Sequence, residues 1–442
     1  MPSNRNFSES RKTSDFAGVL RNPFSRGSST GNSKNVDADN FCDKFVGLLS
    51  ANCDSDDNNW DILEIMSEQI AQRVIRELGA ADLVDSLSEK LSGAELHSLL
   101  LAVLKRRIGK IEPSHLTRPN AVAQACELDG RLLNEVERVS YGVASQFEAM
   151  ELSPLAPLGA VATLTGLDQG NVLSAIRAFE CASDPTVGLA LECARRRKDS
   201  AGRKETTRLC ASQRVVRFPA PKKAGLTAHF KLFSLVSAAR DTGSFSFETA
   251  ALREHIGSYL ALLASLAAMD FGFDDVEVEL SDMRVVAHLC SAFGISRDEI
   301  RASVRARDSE SSERLLEKRS GAWPRSVAEP GEGLEQFDLP KHLVVHLGLL
   351  EQYVCAPLRA ERKAVRLSFN LRRLTGLGYY EGPCFHIKAK NDRGESFALA
   401  DGGFVDWTRR LLGDSKERLL TSAIGSELMC RMFRRSRQRS GV

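Results

Sequence analysis

The chain has 442 residues, 43% hydrophobic and 27% charged, which is enough for two or three domains around a sizeable core. That balance excludes a disordered or collagen-like polymer, and a formal net charge of +2 does not mark the whole chain as a nucleic-acid binder. No apolar run reaches the ~18–20 residues that cross a bilayer, and Met1 to Lys34 lacks the apolar stretch of a secretory leader, so a cytoplasmic protein with no membrane partner is expected.

Residues 1–40 carry few large apolar side chains and read as a disordered tail. From Phe41 onward apolar residues recur at helical spacing, as in Trp60–Met66 and Ala94–Lys105, with Asp54, Asp56, Asp57 and Asp61 around the positive start of the first helix. The stretch 41–112 is therefore expected to be a small helical domain, closing near Pro113 and serving as a docking module for a protein partner. Within 113–430 the texture is mixed. Helices are predicted over Glu127–Arg138, Val187–Arg197, Thr249–Ala268 and His342–Leu358, and strands over Phe147–Pro154, Gln213–Phe218, Val276–Leu280, Ala364–Phe369 and Cys384–Lys388. The polar, Gly- and Pro-bearing stretch 305–338 reads as a loop or linker, and 431–442 as a basic tail. Strands far apart in the chain and flanked by helices give an α+β class rather than a doubly wound sheet. The ten cysteines form no C-x-x-C pair and no zinc spacing with histidine, so they fit core thiols in a reducing compartment, and no metal site is expected.

Four segments, in order, carry chemical content. The first is Phe147-Glu-Ala-Met-Glu-Leu-Ser-Pro154, a strand stopped by proline. The second is Ser183-Asp-Pro-Thr-Val-Gly188, where Asp184 and Thr186 open a helix; a carboxylate and a hydroxyl so placed can hold an ammonium group, and Asp184 before Pro185 is equally a helix cap. The third runs from Gln213-Arg-Val-Val-Arg217 to His229-Phe-Lys-Leu-Phe233, two strands joined by a loop. The fourth is Thr375-Gly-Leu-Gly-Tyr-Tyr-Glu-Gly-Pro-Cys-Phe385, followed by Asp401-Gly-Gly-Phe-Val-Asp406 and Ala423-Ile-Gly-Ser-Glu427.

Together these resemble the catalytic core of class II aminoacyl-tRNA synthetases, closest to the histidyl type, whose signature R-G-L-D-Y-Y-T-G-x-x-F and following G-G-R-Y-D match the fourth segment. The regulatory subunit of ATP phosphoribosyltransferase shares that core. The resemblance covers about 115–430. It implies an antiparallel sheet flanked by helices, a homodimer formed through the first segment, and no anticodon-binding domain, since the chain ends at Val442. It implies that Asp184 and Thr186 hold a ligand's ammonium and that Tyr379, Tyr380, Gly402 and Gly403 shape its side-chain pocket. His229 is a further candidate for that pocket. Arg217 corresponds to the arginine that grips the α-phosphate of ATP and the acyl carboxylate, with Lys222 and Lys223 in the loop beside it as nucleotide-binding candidates.

The departures are chemical. Pro219 replaces the glutamate that contacts adenine, Leu232 and Val236 replace a glutamine and a glutamate, and Thr375, Phe404 and Leu428 replace arginines; Gly378 replaces an aspartate. Losing one preorganised cation from a charge-gathering transition state commonly costs ~3–4 kcal/mol, about two to three powers of ten in rate. The chain is therefore expected not to charge tRNA but to bind an amino acid or similar small ammonium ligand in a regulatory or accessory role. One alternative is an ATP-dependent adenylating enzyme or ligase whose phosphate site is rebuilt around Arg217, Lys222 and Lys223. Another is an RNA-binding core using the basic stretch Arg195–Lys223. No cofactor is assigned from the residues; ATP with Mg2+ is the one the resemblance leaves to test.

Overall fold

The computed structural model describes residues 59–199, 205–218, 227–305, 312, 314–317, 334 and 337–435. The expected tail 1–40, the first part of 41–112, Pro219, Lys222 and Lys223, most of 305–338 and residues 436–442 lie outside the described residues.

The described part opens with three helices, α1 (Asn59–Leu78), α2 (Leu83–Glu89) and α3 (Gly93–Ile108). Helix α3 starts at a capping box: Ser92 Oγ accepts from the Glu95 amide while Glu95 Oε2 accepts from the Ser92 amide at 2.8 Å. Its last turn carries Lys105, Arg106 and Arg107, where cations suit the negative end of the dipole. No residue of α2 or α3 is buried.

The remainder is built on one large sheet. Its strands are β1 (Glu148–Ala149), β5 (Thr207–Val216), β6 (His229–Arg240), β7 (Asp274–Asp282), β8 (Arg366–Phe369), β9 (Pro383–Lys390), β10 (Ser396–Val405) and β11 (Glu417–Ile424). They run in the order β1-β5-β6-β11-β10-β9-β7-β8. The six inner strands pair antiparallel throughout; only the two edge pairs, β1 with β5 and β7 with β8, are parallel. This is the expected α+β architecture. The strand predicted over Phe147–Pro154 pairs through just two residues, because the chain then turns into a separate sheet of β2 (Leu155–Pro157), β3 (Ser174–Ala175) and β4 (Phe179–Cys181). Buried Glu180 ties that small sheet to the next helix, α5 (Ala160–Thr165), accepting from the amides of Gly159 at 2.7 Å and Val161 at 2.9 Å.

Helices cover the large sheet on both faces, and strand alternation decides which residues meet which layer. On one face lie α4 (Gly130–Val143), α7 (Ser246–Ala267) and α13 (Ser426–Met432). Here the β11 hydroxyl of Ser422 meets His255 Nδ1 at 2.7 Å and the Tyr259 hydroxyl at 2.9 Å, while Ser237 Oγ meets His255 Nε2 at 2.9 Å. On the other face lie α6 (Pro185–Arg197) and α12 (Trp407–Leu412). There Arg197 reaches Glu417 at 2.8 Å, with neither side chain exposed. Two further helices, α8 (Met283–Ala292) and α9 (Arg297–Arg305), follow β7. The long helix predicted at His342–Leu358 is α10 (Lys341–Leu350) continued through a π turn at Glu351–Cys355 into α11 (Ala356–Glu361). The wider turn precedes Pro357, which has no amide hydrogen to give to an α-helical ladder. Among the described residues no helix is long and apolar enough to cross a membrane.

Candidate ligand-binding site

The site forms on the α6 face, where four separate parts of the chain converge. Asp184 caps α6 from an extended conformation, with Pro185 at the first helical position. Its Oδ1 accepts from the Thr186 amide at 2.9 Å and the Thr186 hydroxyl at 2.7 Å. Capping thus occupies one carboxylate oxygen and leaves Oδ2 facing Arg217, whose Nη2 is 4.0 Å away. The cap reading and the ligand reading of Asp184 are compatible because they use different oxygens.

Arg217 leaves the end of β5 with its amide bonded to Ala228 O at 2.8 Å and its Nε donating to Ser183 O at 3.2 Å. Its guanidinium lies 5.1 Å from the centre of the Phe230 ring and is half exposed. The arginine is held in place by its stem side, and among the described residues its outer nitrogens have only the 4.0 Å approach to Asp184. Beneath it the strands present Ala182, Val215 and Leu232, a small buried cluster flanked by Phe230 and Ala423. Val236, two residues along the same face of β6, is fully buried.

The tyrosine pair enters from the loop between β8 and β9. Tyr379 stacks edge-on against Tyr380 at 4.9 Å and against Trp407 of α12 at 5.7 Å. Burial, reinforced by the nearby Asp184 charge, holds this phenol well above its ordinary range, so it stays a neutral donor. Tyr380 is buried and donates to Asp401 Oδ1 at 3.2 Å. Its ring fills a slot between two glycines. A Cβ on Gly376, at φ +99°, would come within 2.8 Å of the ring, and one on Gly403 within 2.6 Å.

The resemblance assigns Gly402 and Gly403 to the ligand's side-chain pocket; in the structure the space a Cβ would take at both is filled by protein atoms. Gly403 accommodates Tyr380 and Cys384, whereas Gly402 turns to the α7 face, where a Cβ would lie 2.4 Å from Ser422 Cβ and 2.7 Å from the Phe385 ring. His229 does not join the group either. It alternates with Phe230, so it faces the opposite side of the sheet, bonded to Arg214 at 3.0 Å and to the Gln124 carbonyl at 2.7 Å. Lysines 222 and 223 lie outside the described residues.

The missed residues are Arg373 and Asp401. The side chain of Arg373 is 5% exposed; its Nε donates to Thr375 O at 3.0 Å, and its Nη2 contacts both Asp401 oxygens at 2.8 Å. A guanidinium therefore passes directly beneath Thr375, the position where the resemblance loses an arginine. The doublet Arg372-Arg373 just ahead of Thr375 was the available signal. Across from Asp401 on β9 stands His386, whose imidazole burial pushes down to about 4. The other departures are apolar in place. Phe404 packs against Phe247 on the α7 face, and Leu428 lies partly buried over Gly425. Among the described residues no group of three His, Cys, Asp or Glu side chains could hold a metal ion.

No protein-family model matches the chain, and no curated protein matches it in sequence. Solved structures do match its fold. An ATP phosphoribosyltransferase regulatory subunit/histidyl-tRNA synthetase from Bacillus halodurans aligns with a TM-score of 0.55 at 14% identity, covering 73% of this chain and 84% of its own. A histidine–tRNA ligase subunit from Alicyclobacillus acidocaldarius aligns with a TM-score of 0.52 at 16% identity, covering 71% of this chain and 96% of its own. The chain has the class II synthetase fold of the histidyl type.

Proposed function

We propose that this class II synthetase fold binds a free amino acid, or a similar small ammonium compound, without activating it for tRNA, and acts in a regulatory or accessory role. The observation that carries the reading is the gap between Asp184 and Arg217. Asp184 Oδ2 and Arg217 Nη2 stand 4.0 Å apart, close enough to share one ligand and too far to satisfy one another by a hydrogen bond. A zwitterion fits such a pair, with its ammonium on the carboxylate and its carboxylate on the guanidinium.

ATP, which the fold family implies, suits the described residues poorly. Leu232, Val236 and Leu428 offer only aliphatic groups where the resemblance expects a glutamine, a glutamate and an arginine, and the floor under Arg217 is apolar. Developing charge on a transferring phosphate needs fixed donors there.

The homodimer is part of the same proposal. Leu155, Pro157 and Phe179 share the outward face of the small sheet, next to the two-residue strand β1, and Leu155 and Phe179 are 44% and 45% exposed. Exposed apolar side chains grouped on one face support an interface there. A protein partner for the amino-terminal helices is supported by Val84, Leu99, Val103 and Ile108, which stand exposed on α2 and α3.

Calorimetry of the full chain with each of the twenty amino acids tests the ligand. At least one should bind in the micromolar-to-millimolar range, and Asp184→Ala should weaken it at least ~10-fold, the loss of one charge-assisted contact. Absence of any heat of binding at millimolar ligand would sink the reading.

A further inference from the structure

The cradle at Asp184 and Arg217 says nothing of what the ligand's side chain meets. Beyond Tyr379 the site ends on acceptors. Tyr379 leans edge-on against Tyr380, and Tyr380 points its hydroxyl at Asp401. Asp401 occupies the same face of β10 as Gly403, over which Tyr380 lies, and its cross-strand neighbour His386 is kept neutral by burial.

Asp401 is more than a counterion for Arg373. The arginine side chain is 5% exposed, but that of Asp401 is 48% exposed. Arg373 spends a single nitrogen, Nη2, on both carboxylate oxygens, and Tyr380 adds one more bond to Oδ1. A carboxylate has about four acceptor directions, so the open side of Asp401 retains capacity for a donor. The buried arginine fixes the carboxylate in one orientation, which is the preorganisation a selective contact needs.

We propose that Asp401 is the specificity-determining residue of this site, selecting amino acids whose extended side chain ends in an ammonium or guanidinium group. The inference rests on the amino-acid reading above. A cationic end meets the open carboxylate, while an aliphatic end of the same length covers it and leaves it without its water.

Matched pairs test this: L-lysine against L-norleucine, and L-arginine against L-citrulline, each titrated calorimetrically into the full chain. The cationic member of at least one pair should bind at least ~10-fold tighter. Asp401→Asn keeps an acceptor for Arg373 and should shrink that ratio towards one, chiefly by weakening the cationic member. Equal wild-type affinities within both pairs would overturn the proposal and leave the amino-acid reading standing. Asp401→Asn weakening both members alike would also overturn it, since that is what a structural role predicts. If Asp401→Asn fails to fold by circular dichroism, the wild-type ratios decide. Binding of none of the four, with none of the twenty amino acids binding either, would end both readings.

Discussion

Tyr380 fits because Gly376 and Gly403 leave its ring a slot, and the two pocket glycines at 402 and 403 therefore have separable roles. Gly403→Ala would push on Tyr380 and Cys384 and should lower stability by about 1–3 kcal/mol while also weakening amino-acid binding. Gly402→Ala presses on Ser422 and Phe385 on the far face and should lower stability without changing affinity in the surviving folded protein. Urea unfolding paired with calorimetry separates the two; equal effects on affinity would contradict the assignment of faces. The histidines add a pH dependence. Burial pushes His255 down to about 3 and His386 to about 4, below the ~6.5 of a free imidazole. Below that pH the unfolded chain takes up protons that the folded one refuses. Their contribution to stability is complete above ~6.5 and is lost as the pH falls towards 4 and 3, at up to ~1.4 kcal/mol per pH unit for each histidine. The urea midpoint should drop between pH 7 and pH 5, and drop less in His255→Gln; an unchanged drop would show that His255 does not titrate this way.

At the scale of elements, a fully buried ion pair anchors the α6 face. Arg197 at the end of α6 and Glu417 at the start of β11 are both fully buried, and Arg197 also donates to the Glu205 carbonyl at 2.7 Å. Removing one partner strands the other without water, at ~3–5 kcal/mol, whereas apolar replacement of both can be close to neutral. Arg197→Met should therefore destabilise more than Arg197→Met with Glu417→Met, as measured by denaturant unfolding. A double variant as unstable as the sum of the singles would contradict this. Elements with long, regular patterns were readable in the sequence: Val187–Arg197 lies within α6, and Thr249–Ala268 overlaps α7 almost throughout. What escaped was set by neighbours in space. The first strand shrinks to two paired residues because the small sheet claims the chain after Pro154, and no local pattern announces that choice. The convergence of Asp184, Thr186, Arg217 and Tyr379 followed from the order of segments. The Arg373–Asp401 pair spans 28 residues and two strands, and became visible only once β9 and β10 were paired. His229 illustrates the limit of register: one position along a strand exchanges the site face for its opposite.

At the scale of the molecule, the site divides under the proposed function: Asp184 and Arg217 would hold an amino acid, while Leu232, Val236 and Leu428 offer aliphatic groups where a nucleotide would need donors. If the outward face of the small sheet is the dimer interface, Leu155→Glu with Phe179→Glu should yield a monomer by analytical ultracentrifugation, and a dimer that persists would place the interface elsewhere. The division between the two ends of the site is tested most directly by amino-acid-dependent exchange of pyrophosphate into ATP, run with the full chain and all twenty amino acids. The account predicts no exchange above the protein-free background with any of them. Exchange that depends on one amino acid and disappears in Arg217→Ala would contradict it, because a working phosphate site would then exist around that arginine.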